Sequence, residues 1–227
     1  MSATPVITVD GPGGAGKGTL AYQLAQHLGW HMLDSGALYR VTAHAAMQAG
    51  VSLDDEAAVA QIAAHLDLVF VPAAEGLTEV RLAGRDISAE IRRDECSAAA
   101  SRVAAMEPVR AALLERQKAF AQPPGLVADG RDMGTVVFPS ANLKIFLTAS
   151  AETRARRRFE QLKGRGESAT LARLLETIEE RDARDRNRAT SPLVPADDAL
   201  VIDSTELSVD AVLDQVLVEA RQRGLLD

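Results

Sequence analysis

Short apolar runs alternate along the chain with longer segments in which apolar residues recur every three to four positions. The runs are of strand length and read PVITV, HML, LVAD, LKIFL and LVID, at residues 5–9, 31–33, 126–129, 143–147 and 200–203. Runs of this kind are typical of strands that are buried on both faces. Because helical segments separate them, the pattern predicts an α/β fold, a parallel sheet with helices on both faces.

The segments between the runs have helical spacing and recognisable ends. Leu20, Leu24 and Leu28 form one apolar stripe, and Gly29 is placed to end that helix. Further helices are predicted from Ser35, as N-cap, to Gly50, over about 54–66, and over about 90–120 with a new start at Pro108. Residues 67–88 alternate instead like strands, joined by the turn-forming PAAEG at 72–76, which indicates a small inserted β patch.

The composition allows one large domain and restricts its partners. The chain has 227 residues, of which 47% are hydrophobic, and a formal net charge of -7. This acidic balance argues against general binding to nucleic acid or to an anionic membrane. A single cysteine, no signal-peptide pattern and no run of about 18 apolar residues lead us to expect a cytoplasmic protein, with a monomer as the default.

The first strand runs into a glycine-rich loop that has the chemistry of a phosphate site. Lys17 ends the pattern G-x-x-x-x-G-K, and a helix follows, so backbone N–H groups, the helix N-terminus and the lysine can all face phosphate groups. This predicts binding of ATP with Mg²⁺, and no N-K-x-D motif of a switch GTPase is present. The predicted ATP-binding residues are Gly11, Pro12, Gly13, Gly14, Ala15, Gly16, Lys17, Gly18 and Thr19. Gly18 stands where a Ser or Thr is common, which favours a metal held by phosphates and water.

Polar residues follow two further strands, where ligands collect at the edge of a parallel sheet. In DSGALYR, residues 34–40, Arg40 can point at an anion, and Ser35 can contact a phosphate as well as cap the helix. In LVADGRDMG, residues 126–134, Asp129 is placed to orient Mg²⁺ or its water shell, and Arg131 and Asp132 extend beyond the strand.

A basic segment departs from the acidic character of the chain. Residues 154–165, RARRRFEQLKGR, contain six basic residues and one acidic residue, and basic residues continue through 181–188. Arginines near a phosphate loop can neutralise charge on a transferring phosphoryl group from a lid that excludes water. A solvated basic face and an RNA-binding helix are the alternatives.

The combination of motifs resembles the bacterial cytidylate kinases over essentially the whole chain. The similarity rests on DGPGGAGKGT, LDSGALYR, ADGRDMGTVVFP, KIFL, RARRR, ERDARDRNR and PLVPADDALVIDST. It implies one domain over 1–227 with a five-stranded parallel core, an enlarged monophosphate-binding insertion near 67–100 and a short lid near 154–166. The reaction that it implies is transfer of the γ-phosphate of ATP to CMP or dCMP.

The same resemblance implies roles for individual residues. Lys17 serves the ATP phosphates, and Arg157 and Arg158 act from the lid. The residues implied for the monophosphate are Arg40 and Arg131 at its phosphate, Ser101, Arg110, Asp132 and Arg188 at the base, and Arg181 and Asp185 at the sugar. Two alternatives stay open from the sequence: a kinase of the same loop class acting on UMP, AMP or shikimate, and a nucleotide-binding regulator that holds RNA.

Overall fold

The computed structural model describes residues 4–71, 79–164 and 166–226. The described chain contains the strands β1 (Val6–Asp10), β2 (His31–Asp34), β3 (Leu68–Val71), β4 (Glu79–Leu82), β5 (Arg85–Asp86), β6 (Leu126–Gly130), β7 (Leu143–Thr148) and β8 (Leu200–Asp203). Its α-helices are α1 (Lys17–Leu28), α2 (Ser35–Gln48), α3 (Glu56–Ala64), α4 (Asp94–Val103), α5 (Glu107–Lys118), α6 (Ala151–Gly164), α7 (Leu171–Arg186) and α8 (Val209–Gln222). The chain divides into two compact units. The first unit combines the segments up to Leu33 and from Phe120 onward, and the second unit is the continuous segment Asp34–Ala119.

The first unit is built on a parallel sheet. Within the described residues this sheet has five strands in the order β2-β6-β1-β7-β8, and β1 pairs in parallel with β6 and β7, as β7 does with β8. The prediction of a five-stranded parallel α/β core is confirmed. Ile7, Val9 and Ile145 of the central strands share one buried core with Leu24 of α1 and Val216 of α8.

The second unit combines helices with a small antiparallel sheet. α2 packs against α4, and α3 packs against α5. β3 pairs with β4, and β4 with β5, both antiparallel. The inserted β patch is therefore present, although its predicted turn at 72–76 lies outside the described residues. The helical segment predicted over about 90–120 consists of a 3₁₀ turn (Glu90–Arg92), α4 and α5, with Pro108 in the first turn of α5.

The predicted N-cap of α2 is wrong by one residue. Asp34, not Ser35, has the extended backbone of a cap, and its carboxylate accepts a hydrogen bond from the amide of Ala37 at 2.9 Å. Ser35 is the first helical residue and is buried. Both side chains suit a cap, but Asp34 ends β2, so the helix can begin directly after the strand.

None of the helices in the described residues is long and apolar enough to cross a membrane.

Candidate active site

The loop between β1 and α1 has a backbone that requires glycine. Gly11, Gly14 and Gly16 have φ of +146°, +82° and +99°, values that other residues rarely adopt. At Gly11 an added Cβ would lie 1.9 Å from the carbonyl oxygen of Leu147, so β7 passes directly against the loop. The glycines thus permit both the curvature of the loop and its packing on the sheet.

Lys17 is folded back into this loop. Its side chain is only 6% exposed, and Nζ donates to the carbonyl oxygen of Pro12 at 3.0 Å and lies 3.9 Å from Oδ1 of Asp129. Burial, together with the positive charge of Arg131, lowers the pKa of Lys17 to about 8, although the carboxylate of Asp129 opposes this shift. An anion that arrived at the loop would find this ammonium group already in position.

Two arginines lie against the same loop. A Cβ added at Gly13 would be 3.5 Å from Nη2 of Arg131 and 3.7 Å from Nε of Arg181. Arg131 is held by Asp185, a buried residue of α7, whose Oδ2 accepts from Nε at 3.1 Å. With Lys17 these guanidinium groups form a concentration of positive charge around the loop.

A buried carboxylate that the sequence interpretation missed connects the loop to the residues after β6. Oδ1 of Asp10 accepts from the amide of Met133, and Oδ2 accepts from the amide of Gly134, each at 2.8 Å. These amides begin a π-helical turn, Met133–Val137. Burial raises the pKa of Asp10 to about 7 against the effect of both hydrogen bonds. The signal was available, because Asp10 ends an apolar strand just as Asp129 does.

The basic segment lies mainly on α6, where its arginines have different environments. Arg154 is 2% exposed and makes a two-point ion pair with Asp182 of α7, at 3.0 and 2.5 Å. Arg157 donates to the carbonyl oxygens of Ala15 and Ser204, Arg158 is half-buried, and Arg156 is exposed. The segment 154–166, expected to be a lid, thus begins with an arginine that is buried and ion-paired to α7. Residue 165 lies outside the described part of the chain.

Four of the expected monophosphate-binding residues belong to the second unit. Nη2 of Arg40 donates to Oδ2 of Asp34 at 2.7 Å, and Gly36 leaves room for that guanidinium group, since an added Cβ would lie 3.1 Å from Nη1. Ser35 is buried on α2, and the buried Arg110 of α5 lies with its Cζ 5.8 Å from the centre of the Tyr39 ring.

Ser101, on α4, has an unusual environment for a hydroxyl group. The residue is buried, and its Oγ has no hydrogen-bond partner within the described protein. A buried hydroxyl group without a partner is costly in a protein that binds nothing there. The hydroxyl of Ser101 is therefore available to a ligand.

The remaining expected residues belong to the first unit, and two of them contact Asp185. Nε of Arg188 donates to the backbone carbonyl of Asp185 at 3.4 Å, and the same residue's carboxylate holds Arg131. Asp132 directly follows Arg131 and is 2% exposed. The first unit thus places Arg131 and Arg181 against the loop, with Asp185 holding Arg131 through its carboxylate and contacting Arg188 through its backbone.

Among the described residues no group of three or more His, Cys, Asp or Glu side chains could hold a metal ion. Asp129 is the carboxylate nearest to the loop lysine, and an added Cβ at Gly18 would lie 3.4 Å from its Oδ2. A single carboxylate suits a metal ion that arrives with phosphate oxygens and water as its other ligands.

Comparison with known proteins gives consistent matches over the whole chain. A family profile described as Cytidylate kinase matches residues 7–222. The chain is 59% identical to a cytidylate kinase of Stutzerimonas stutzeri, covering 99% of both chains, and 59% identical to one of Shewanella frigidimarina, covering 97% of this chain and 96% of the relative. It is 58% identical to a cytidylate kinase of Klebsiella pneumoniae, with 96% of each chain covered.

A solved structure supports the fold independently of sequence similarity. An uncharacterized protein from Eubacterium ventriosum shares the fold with a TM-score of 0.51 at 13% identity, over 96% of this chain and 99% of that chain. At this identity the likeness concerns the fold alone.

Proposed function

Since the chain belongs to the cytidylate kinase family, we propose that it transfers the γ-phosphoryl group of ATP to CMP or dCMP with the residues described above. The structural observation that carries this assignment is the buried Lys17 within the glycine loop, with Arg131 and Arg181 against Gly13. The matches to cytidylate kinases favour neither a UMP, AMP or shikimate kinase nor an RNA-holding regulator.

On the donor side, the loop residues 11–19 bind the ATP phosphates. Lys17 supplies a positive charge that is fixed before the nucleotide arrives, and such preorganised charge stabilises the transition state more than a mobile one. Arg158, half-buried on α6, is assigned to the charge on the moving phosphoryl group. Arg157, predicted for the same role, already donates to Ala15 and Ser204.

On the acceptor side, the nucleophile is a phosphate oxygen of CMP. Because the second pKa of a phosphomonoester is about 6, this oxygen is ionised at neutral pH and needs no strong general base. The protein's task is to hold two polyanions in line and to offset their repulsion. Arg40 and Arg131 are assigned to the CMP phosphate, with Ser35 beside it, and Arg181 and Asp185 to the sugar hydroxyl groups.

Recognition of the base is assigned to Ser101, Arg110, Asp132 and Arg188. Cytosine offers an amino donor at N4 and an acceptor at N3, whereas uracil presents the opposite pair. A carboxylate only accepts and a guanidinium group only donates, so this set suits cytosine. The buried carboxylate of Asp132 and the buried hydroxyl of Ser101, which lacks a protein partner, support the assignment.

Use of ATP by kinases of this family implies a divalent metal ion, and we propose that it is Mg²⁺. Asp129 would hold it, directly or through water, and the remaining ligands would be phosphate oxygens and water. When bound, the ion neutralises charge on the transferring phosphates. The protein contributes the orientation of Asp129 by β6 and the neighbouring ammonium of Lys17.

We also propose how the kinase domain is divided into functional segments. We assign residues 67–100 to the monophosphate-binding insertion and 154–166 to the lid of one kinase domain over 1–227. A monomer in the cytoplasm, with no nucleic-acid or membrane partner, stays a prediction.

An acceptor panel tests the proposed function. ADP release would be measured with ATP and CMP, dCMP, UMP, AMP, GMP or shikimate as acceptor. CMP and dCMP should be good acceptors, UMP much poorer, and the others inactive, because sites that read polar groups discriminate by up to about 10⁴. Equal use of UMP and CMP would contradict the proposal.

Two variants test the base-reading residues within the same assay. Asp132→Asn can turn an N–H group toward O4 of uracil, so it should narrow the ratio of kcat/KM for CMP to that for UMP. Arg188→Met should change the same ratio. Asp214→Asn, at an exposed position of α8, is the control. An unchanged ratio in both site variants would show that these residues do not read the base.

A further inference from the structure

Three carbonyl groups of the glycine loop accept hydrogen bonds from side chains. Lys17 donates to Pro12, as described above. Nη1 of Arg154 donates to the carbonyl oxygen of Gly13 at 3.1 Å. The carbonyl oxygen of Ala15 accepts from Nη1 of Arg157 at 3.3 Å and lies 3.1 Å from Oγ of Ser204, a hydroxyl that also lies 3.0 Å from the carbonyl oxygen of Thr148. Two of these three carbonyl groups, those of Gly13 and Ala15, are held by side chains from outside the loop. The donors are on α6 and at Ser204, which directly follows β8.

These contacts fix the orientation of the peptide groups. In a trans peptide the C=O and the following N–H point in opposite directions. A donor that holds the carbonyl of Gly13 or Ala15 on one side therefore turns the amide of Gly14 or Gly16 to the other side. Gly14 and Gly16 have positive φ and could rotate readily without such restraint. Amides of this kind are the groups with which a glycine loop binds phosphates.

Arg154 is itself held too firmly to act as a mobile charge. Both of its terminal nitrogens bond to Asp182, and Nε donates to the carbonyl oxygen of Ala149 at 3.0 Å. Both members of the ion pair are buried. Withdrawing the guanidinium group toward a nucleotide would leave the carboxylate of Asp182 buried without this partner, which is strongly unfavourable. Its contact with Gly13 is thus a permanent feature of the folded chain.

Arg157 and Ser204 form a second restraint of the same kind. Nη2 of Arg157 donates to the backbone carbonyl of Ser204 at 2.6 Å, and Nη1 lies 3.2 Å from its hydroxyl oxygen. Ser204 is buried directly after β8. The helix, the end of the strand and the carbonyl of Ala15 are joined in one hydrogen-bonded group.

We propose that Arg154 and Arg157, together with Ser204, are positioning residues that orient the amides of the glycine loop toward the phosphates of the nucleotide. They act through the loop and not by touching the nucleotide. The inference rests on the proposed function only in that the loop binds ATP or ADP. It extends that function by giving two arginines of the basic segment a role distinct from neutralising the moving phosphoryl group.

Binding of ADP and CMP to the whole chain, measured separately by calorimetry, tests the proposal. Ser204→Ala removes one of the two donors to the carbonyl of Ala15 with little change in volume, and Ser204→Ala combined with Arg157→Met removes both. The double substitution Arg154→Met with Asp182→Leu removes the restraint on Gly13 while leaving no buried charge behind, a replacement that proteins often tolerate. Arg156→Met, at an exposed position of the same helix, is the matched control.

We expect each site variant to raise the Kd of ADP about tenfold, the effect of roughly one lost hydrogen bond to a charged ligand. The Kd of CMP should stay within about twofold, and Arg156→Met should change neither value. Arg154→Lys, which keeps one donor for Gly13, should recover part of the loss. A general loss of structure would instead weaken both ligands together.

Wild-type affinity for ADP in Ser204→Ala with Arg157→Met and in a folded Arg154→Met with Asp182→Leu would overturn the proposal, as would equal losses for ADP and CMP. If one of these double variants does not fold, the other decides. Failure of the wild-type chain to bind ADP would contradict the proposed function itself, so the two failures are distinguishable.

Discussion

Replacing Asp10 by asparagine removes a buried carboxylate whose ionisation the fold opposes. Asp10 is 5% exposed, and burial raises its pKa from the ordinary 3.8 to about 7. Asparagine has nearly the same shape but does not titrate. It offers one acceptor oxygen where the carboxylate offers two, so the amide of Met133 or of Gly134 loses its partner.

The sign of the pH effect follows from proton binding. Between the two pKa values the folded chain binds a proton at Asp10 that the unfolded chain has released, so the free energy of unfolding decreases as the pH rises. The contribution is fully present below the unfolded pKa and is lost as the pH rises through about 7. From about pH 4.5 to 7.5 the loss is about 3 kcal/mol, at about 1.4 kcal/mol per pKa unit.

The assay is urea unfolding of the wild-type chain and of Asp10→Asn at a series of pH values. Titrating groups that do not interact with Asp10 are the same in both chains and cancel in the difference between their free energies of unfolding. The charges of Lys17 and Asp132 act on Asp10 and are the exceptions, but their effect on the pKa of Asp10 is smaller than that of burial. The lost hydrogen bond adds an offset of about 1–3 kcal/mol that does not depend on pH. The advantage of the wild type over the variant should therefore shrink by about 3 kcal/mol across this range.

Asp214→Asn, exposed on α8, is the control and should show an almost constant difference from the wild type. A difference between wild type and Asp10→Asn that stays constant or grows with pH would refute the reasoning. It would mean that the two backbone hydrogen bonds outweigh burial and keep the carboxylate ionised.

Two further predictions concern the glycine loop. Lys17→Ala should fold normally but lower kcat by a factor on the order of 10² or more, because one preorganised charge on the transferring group contributes roughly 3 kcal/mol; near-normal turnover in steady-state assays would remove the lysine from the mechanism. Gly11→Ala should destabilise the chain by several kcal/mol, on the order of the largest single-substitution effects, because its Cβ would meet the carbonyl oxygen of Leu147. Gly50→Ala, at φ +67° with open space around it, should cost only about 1 kcal/mol in the same unfolding experiment.

The sheet could be predicted well from the sequence because its central strands are buried. All five residues of β1 and four of the five residues of β6 are buried, which is why PVITV and LVAD are so apolar. At the edge of the sheet β8 has the predicted bounds, although Val201 is 56% exposed. Helix ends were harder, since they depend on which of several suitable side chains reaches an amide. Asp34 and Ser35 both suit a cap, and only the end of β2 decides between them. In the segment near 90–120, Pro108 indicated the start of α5, but small residues continue past Val103, so periodicity did not reveal where α4 ends.

The candidate site could be predicted as a set of residues but not as a network. A glycine loop and a lysine at fixed spacing identify a phosphate site because the backbone geometry is local. The partner of a buried charge is not local. Asp10 bonds to amides more than a hundred positions away, and Asp185 holds Arg131 from 54 positions away, distances along the chain that no motif spacing reveals.

The number of basic residues in the segment 154–165 is larger than the net positive charge that they bring to the glycine loop. Arg154 and Arg157 are three positions apart and share a face of α6, whereas Arg156 points elsewhere and is exposed. Helical periodicity could have separated these arginines, but it could not have identified the buried face, which is set by Asp182 on α7. Because that carboxylate neutralises Arg154, the arginine can hold the carbonyl of Gly13 without adding net charge, and the positive charge that faces the loop is left to Lys17 and its neighbours. The buried ion pair thus lets Arg154 hold a carbonyl of the loop, whereas Arg156, two positions away on the same helix, is exposed.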